Sequence, residues 1–192
     1  MKAIAVFLLL FISTSSFASI FNRPSKDDSY LALLNYSYIY EPKVIGVRIH
    51  IVGDASKFVS ESSIFRYLKL KFRNFIQEYK LVEISAPDIP ENRNYMRIII
   101  RQNKYNDKMD VYTGLTSMEI FPRYADTQHR PYQIITPESG SDTQIEGFIK
   151  SSIDQMVELF AEDYYLIGDF KKEKKKEINK QPKEMADEDY FK

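Results

Sequence analysis

The residues able to do chemistry are few: two histidines, no cysteine and no tryptophan in 192 residues. A nucleophilic triad needs a histidine base beside an activated serine and an orienting acid. Only His50 and His129 are available, and no serine stands in a G-x-S-x-G turn. Asp126 and His129, at D-x-x-H spacing, offer two metal ligands where a hydrolytic zinc wants three from the protein. No third is identifiable, so neither a metal nor any cofactor is expected. The six glycines are scattered, and none forms the turn whose bare backbone N–H groups cradle a phosphate.

Two groups of residues keep other readings open. Asp54, Asp88, Glu91, Asp107 and Asp126 all fall in expected loops, and a pair of them brought together by folding would suit a hydrolase outside the cytoplasm. Tyr36, Tyr38 and Tyr40 alternate along the chain, and exposed rings so arranged would stack on a glycan. Packing within a sheet accounts for the same tyrosines. The leading expectation is instead a non-catalytic interaction module holding another protein of the cell envelope. Its candidate contacts are Arg66, Leu70 and Arg73, which the helical period turns away from the core. An apolar residue flanked by arginines is a composition that interfaces favour.

Where such a module would work is written at the N-terminus. Lys2 precedes an apolar run of about ten residues from Ala3 to Ile12, the length of a signal-peptide core and too short to span a bilayer. Ser16-Phe17-Ala18 then places small residues where a signal peptidase reads, so cleavage is expected between Ala18 and Ser19. Residues 1–18 are the expected signal peptide, and the mature chain is expected to be periplasmic or secreted, without a transmembrane anchor. The absence of cysteine removes any disulfide framework or thiolate metal site. With Lys plus Arg equal to Asp plus Glu at 27 each, the overall charge gives no reason to expect nucleic acid as a partner.

The elements that would position these residues follow from periodicity. Residues 19–42 read as a linker with a possible edge strand, of which Tyr30–Tyr40 is of ambiguous type. Lys43–Val52 is a strand, with Ile45, Val47, Ile49 and Ile51 on one face and Arg48 and His50 on the other. Ser60 reads as an N-cap with Glu61 just inside it. Ile64, Phe65, Leu68, Phe72, Phe75, Ile76 and Tyr79 then share one side of a helix of about twenty residues. Leu81–Ile84 is a short strand. Tyr95–Gln102 is another, turning through a polar stretch at Asn103–Asp110 into Val111–Phe121. After a loop over Pro122–Pro131 comes a short strand at Tyr132–Thr136. The segment Ser141-Asp142-Thr143-Gln144 fits a capping box. It opens a helix whose stripe runs from Ile145 through Phe160 to Ile167 and is expected to end at Gly168. Residues 171–192 are almost free of apolar side chains, and they are expected to form a disordered charged tail. The domain proper is thus expected over 43–170.

The order of these elements, closing on a helix with Phe160-Ala161-Glu162-Asp163-Tyr164-Tyr165-Leu166 near its end, resembles small exported proteins of Gram-negative bacteria. More distantly the layout is similar to the two-layer domains of envelope-assembly factors such as the TolB N-terminal domain and the CsgG and PelC group. That resemblance implies protein partners in the envelope and no catalysis, although this chain has no lipobox cysteine. The fold class expected is α+β, a mixed or antiparallel sheet of four to six strands with two long amphipathic helices on one face.

Overall fold

The structure, a computed structural model, describes residues 20–40, 44–84, 94–106, 108–122 and 131–180. The expected signal peptide with its Ala18–Ser19 junction, His129, four of the five loop carboxylates (Asp88, Glu91, Asp107 and Asp126) and residues 181–192 lie outside them.

The fold is α+β. Six strands form one mixed sheet: β1 (Ile20–Asn22), β2 (Val44–Gly53), β3 (Lys80–Glu83), β4 (Tyr95–Asn106), β5 (Met109–Phe121) and β6 (Tyr132–Ser141), in the order β1-β6-β5-β4-β2-β3. β2 runs parallel to both β3 and β4, and every other pair is antiparallel. Helices α1 (Tyr30–Leu34), α2 (Glu61–Phe75) and α3 (Asp142–Lys180) complete it. One face of the sheet carries Ile45, Val47, Met96, Ile98, Ile100, Met118, Ile120, Tyr132 and Ile134, all buried, and it meets the apolar stripes of α2 and α3. The two helices touch through Phe72 and Phe160, whose rings lie 5.5 Å apart, and through the Tyr67 hydroxyl, 2.8 Å from the Asp154 carboxylate.

Several elements depart from the sequence expectation. The segment left ambiguous in sequence is helical at Tyr30–Leu34, where the Ser29 hydroxyl accepts the Ala32 N–H, and a 3-10 turn at Ser37–Ile39 follows. A good cap before Tyr-Leu-Ala-Leu-Leu outweighs the tyrosine alternation. Helix α2 is 15 residues long and stops at Phe75, because Ile76 leaves helical geometry at φ −137°. There the chain turns back to bring Lys80 alongside Val44 in the parallel pair. The expectation of two long helices therefore holds only for α3. Ile76 and Tyr79 are buried as expected, but from a turn, while Phe75 is 37% exposed. Residues 103–106 and 109–110, expected as turn, extend the hairpin, since Asn103 and Lys104 pair with Thr113 and Tyr112. α3 passes Gly168 and continues to Lys180, so 171–180 are helical where a disordered tail is expected.

The caps follow the sequence more closely. Ser60 and Ser63 form a reciprocal capping box at the start of α2. At the start of α3 the Gln144 side chain accepts the Ser141 N–H at 3.2 Å. Gly53 ends β2 at φ 67°, a backbone that a residue with a Cβ adopts only at a cost.

Candidate interaction surface

All the described helices that pack on the sheet cover the same face, which leaves the other face to the remaining strand positions. Three adjacent cross-strand tiers form the middle of that second face. In the first, Arg48, Arg97, Glu119 and Gln133 lie side by side. Arg97 Nε donates to Glu119 Oε2 at 2.6 Å and Gln133 Nε2 to Oε1 at 2.9 Å, so both oxygens of this buried carboxylate are satisfied. Arg97 also lies over the Phe121 ring, itself stacked on Tyr95 at 4.7 Å. The second tier is His50, Ile99, Ser117 and Ile135, and the third is Val52, Arg101, Leu115 and Pro137.

These tiers combine partly exposed aliphatic side chains with cations. Ile99, Ile135 and Leu115 are half-buried, and Val52 and Arg101 are exposed. Neither Arg48 nor Arg101 has an ion-pair partner among the described residues. Partial burial, and then the charges of Arg48 and Arg97, hold the His50 imidazole below its ordinary pKa. The centre of the face is thus electropositive, and at neutral pH His50 is neutral within it.

The contacts expected from sequence lie elsewhere. Arg66, Leu70 and Arg73 are exposed on the outer side of α2, with Leu70 at 46%. Arg66 Nε reaches back to the Ser62 carbonyl at 3.3 Å, a local helical contact. They lie apart from the sheet face.

The tyrosines do not form a stacking platform. Tyr36 and Tyr38 are buried, and Tyr40 lies against Tyr164 with ring centroids 4.9 Å apart. The Tyr38 hydroxyl donates to the Ile120 carbonyl and accepts the Tyr132 N–H at 2.7 Å, and burial raises its pKa. These rings are internal fastenings. Asp54, the one placed member of the loop carboxylates, is held by Lys57 at 2.7 Å and by the Lys104 N–H at 2.9 Å, and Lys57 above all keeps its pKa below the ordinary value. Among the described residues no group of three or more histidines and carboxylates is placed to hold a metal. Among them, too, no helix is long and apolar enough to cross a membrane.

Two polar clusters join residues far apart in the sequence. Arg23, in the segment after β1, grips Asp163 of α3 with Nε at 2.7 Å and a second guanidinium nitrogen at 2.8 Å. The Tyr132 hydroxyl donates to the same carboxylate at 2.9 Å. Burial pushes the Asp163 carboxyl above its ordinary pKa, and Arg23 opposes that. Beside this pair a cleft of about 450 Å³ opens between residues 23–27 and Glu162, Asp163 and Leu166. The second cluster lies between the sheet and α3. Gln102, Gly114 and Glu138 stand in one tier, and the glycine leaves room for the two long side chains to meet above it, so that Gln102 Nε2 donates to Glu138 Oε2. Thr116 and Ser152 also face Glu138, whose pKa is raised by burial. A carboxylate on the core side of an otherwise apolar stripe, as Asp163 is between Phe160 and Ile167, is the one sequence signal that pointed to either cluster.

Comparison with known proteins finds no matching family profile and no match among curated proteins. Among solved structures the chain is similar to a minor lipoprotein from Acinetobacter baumannii, with 12% identity over 62% of this chain and 88% of that one, at a TM-score of 0.33. It is also similar to the rare lipoprotein B from Shewanella oneidensis, with 12% identity over 70% of this chain and 97% of that one, at a TM-score of 0.30. Neither bears the name of the TolB, CsgG or PelC groups that the element order resembles. Likenesses of this size transfer no role to the chain.

Proposed function

We propose that this protein is an exported, non-catalytic module that holds another protein of the cell envelope, and that it does so with the sheet face opposite its helices. The observation that carries the reading is the composition of that face. Val52, Ile99, Leu115 and Ile135 supply apolar area, and Arg48 and Arg101 supply charge that no described residue neutralises. A sheet face that meets only water is expected to alternate to plainly polar residues. A partner of matching chemistry presents an apolar centre ringed by carboxylates. The export signal read from residues 1–18 supports the envelope as the place of encounter.

Site-specific photo-crosslinking tests this reading, with the crosslinking residue at position 99, at position 70, or at neither, in cells exporting the protein. Capture of one discrete envelope protein from position 99, abolished by Arg48→Glu with Arg101→Glu and retained with Arg66→Glu and Arg73→Glu, is the expected result. Capture from position 70 alone, lost on reversing Arg66 and Arg73, would move the contact to α2. A hydrolytic activity lost on replacing Asp54 or another loop carboxylate would replace the reading with an enzymatic one.

A further inference from the structure

The helical layer has an outer surface as well as the inner one that meets the sheet. Helices α2 and α3 run side by side in the same direction, because their contacts climb both together. Tyr67 meets Asp154, Phe72 meets Phe160, and the Tyr165 hydroxyl donates to the Phe75 carbonyl at 3.0 Å. That series sets the levels: Leu70 stands beside about residue 158 of the neighbouring helix, and Arg73 beside about residue 162.

The two outer strips carry opposite charge. Residues 62–75 hold no carboxylate, and residues 151–165 hold no lysine or arginine. At 3.6 residues per turn, Arg66, Lys69, Leu70 and Arg73 share an arc of about 100° on α2, and all four are exposed. None of these three cations has an ion-pair partner among the described residues. On α3, Gln155, Glu158, Glu162 and Tyr165 share an arc of about 80° and are likewise exposed. Glu162 touches Arg23 at 3.3 Å, but its side chain is 70% exposed, so its carboxylate stays reachable. Between the strips the seam is apolar, with Phe75 and Tyr165 in contact and both exposed. Apolar area rimmed by charge is the make-up of a protein contact.

The two strips fit each other. Consider a two-fold axis lying in this outer surface, along the seam and parallel to the helices. It places a second copy face to face, with its α3 over α2 of the first and its α2 over α3. Rotation about that axis keeps the helix direction, so the levels are kept as well. Lys69 and Leu70 then meet Glu158 of the second copy, Arg73 meets Glu162 of the second copy, and the Phe75 and Tyr165 seams meet near the axis. An axis across the helices would instead set α2 on α2 and α3 on α3, like charge on like. Along the 15 residues of α2, about 22 Å, two helices together about 20 Å wide offer about 450 Å² per copy. The total of roughly 900 Å² suits a weak, reversible pair. We propose that the protein forms a two-fold dimer through the outer surface of α2 and α3, the basic strip of each copy against the acidic strip of the other. The dimer leaves the opposite sheet face open, so it goes beyond the protein-holding role of that face and stands without it.

The test is sedimentation velocity on exported protein over a micromolar concentration series at low and high salt. Wild type should pass from monomer to dimer as concentration rises, and shift back towards monomer at high salt. Replacing Arg66, Lys69 and Arg73 by Glu makes both strips acidic, and replacing Glu158 and Glu162 by Lys makes both basic. Each variant should dimerise roughly a hundredfold more weakly yet melt near wild type, since all five side chains are exposed. Mixed in equal amounts, the two variants should form a heterodimer, because both strips are then matched. Arg48→Glu with Arg101→Glu, on the sheet face, should leave the dimer as it is. A wild type that stays monomeric, a dimer that survives both reversals, or two variants that fail to pair when mixed would overturn the proposal. So would a dimer lost on Arg48→Glu with Arg101→Glu, which would put the second copy on the sheet face.

Discussion

Glu138 gives the sharpest test of the packing. It is 6% exposed, with Gln102 and Thr116 beside it fully buried, and no described cation pairs with it. Four oxygens in this layer, Gln102 Oε1, Thr116 Oγ1, Thr136 Oγ1 and Glu138 Oε1, have no hydrogen-bond partner. An ionised Glu138 is a buried charge with no described cation to offset it, whereas a protonated one is neutral and becomes a donor. Burial raises its pKa from the ordinary 4.5, which means that the folded state binds the proton more tightly than the unfolded state. By linkage, its contribution to stability is full below about 4.5 and is lost as pH rises through the raised folded value. Glu138→Gln keeps the shape, removes the titration and takes an unpaired charge out of the buried layer. Relief of an unpaired buried polar atom is worth about 1–3 kcal/mol. For a domain of this size that is roughly 2–12 °C in melting temperature. The assay is thermal melting of wild type and E138Q across pH 4 to 8, with the gap between them opening as pH rises. If wild type shows no loss relative to E138Q over that range, or E138Q melts lower at neutral pH, Glu138 is ionised and well solvated, and the reasoning is refuted.

Phe160→Ala should cost about 3–5 kcal/mol, since Phe160 is fully buried among Phe72, Tyr79 and Tyr132. Phe75→Ala, by contrast, should cost well under that, and chemical denaturation of the two variants separates them. Arg23→Ala strands the Asp163 carboxylate, which is 3% exposed, so a loss of about 3–5 kcal/mol is expected, with Asp163→Asn losing less. Both are measured by the same denaturation. Deleting 171–192 should leave the melting temperature nearly unchanged, because no apolar side chain of the described 171–176 is buried in the domain. Intact-mass measurement of exported protein should show a chain beginning at Ser19, and recovery of an intact Met1 outside the cytoplasm would contradict the signal-peptide reading.

The α+β class, the second strand, both amphipathic stripes and the caps at Ser60 and Ser141 were legible in the sequence. Each is a local pattern: a period of two or of 3.6, or a side chain bonding to a backbone group within three residues. Where α2 ends was not legible, because Ile76 and Tyr79 keep the helical spacing and stay buried while the backbone has already turned toward β3. The type of Tyr30–Tyr40 stayed open, because the partners of Tyr36 and Tyr38, Asn22 and the Ile120 carbonyl, lie on other elements and hold them in turns. The open sheet face was half visible, as Arg48 and His50 opposite an apolar row, but its tiers exist only once the register of β2, β4, β5 and β6 is set. The sequence by itself therefore determined periodicity and capping, since these depend on neighbours along the chain. Tertiary structure alone decided the pairing of Arg23 with Asp163 across 140 residues and the burial of Glu138 above Gly114. Those depend on distances in space and on solvent exclusion, which no spacing along the chain encodes.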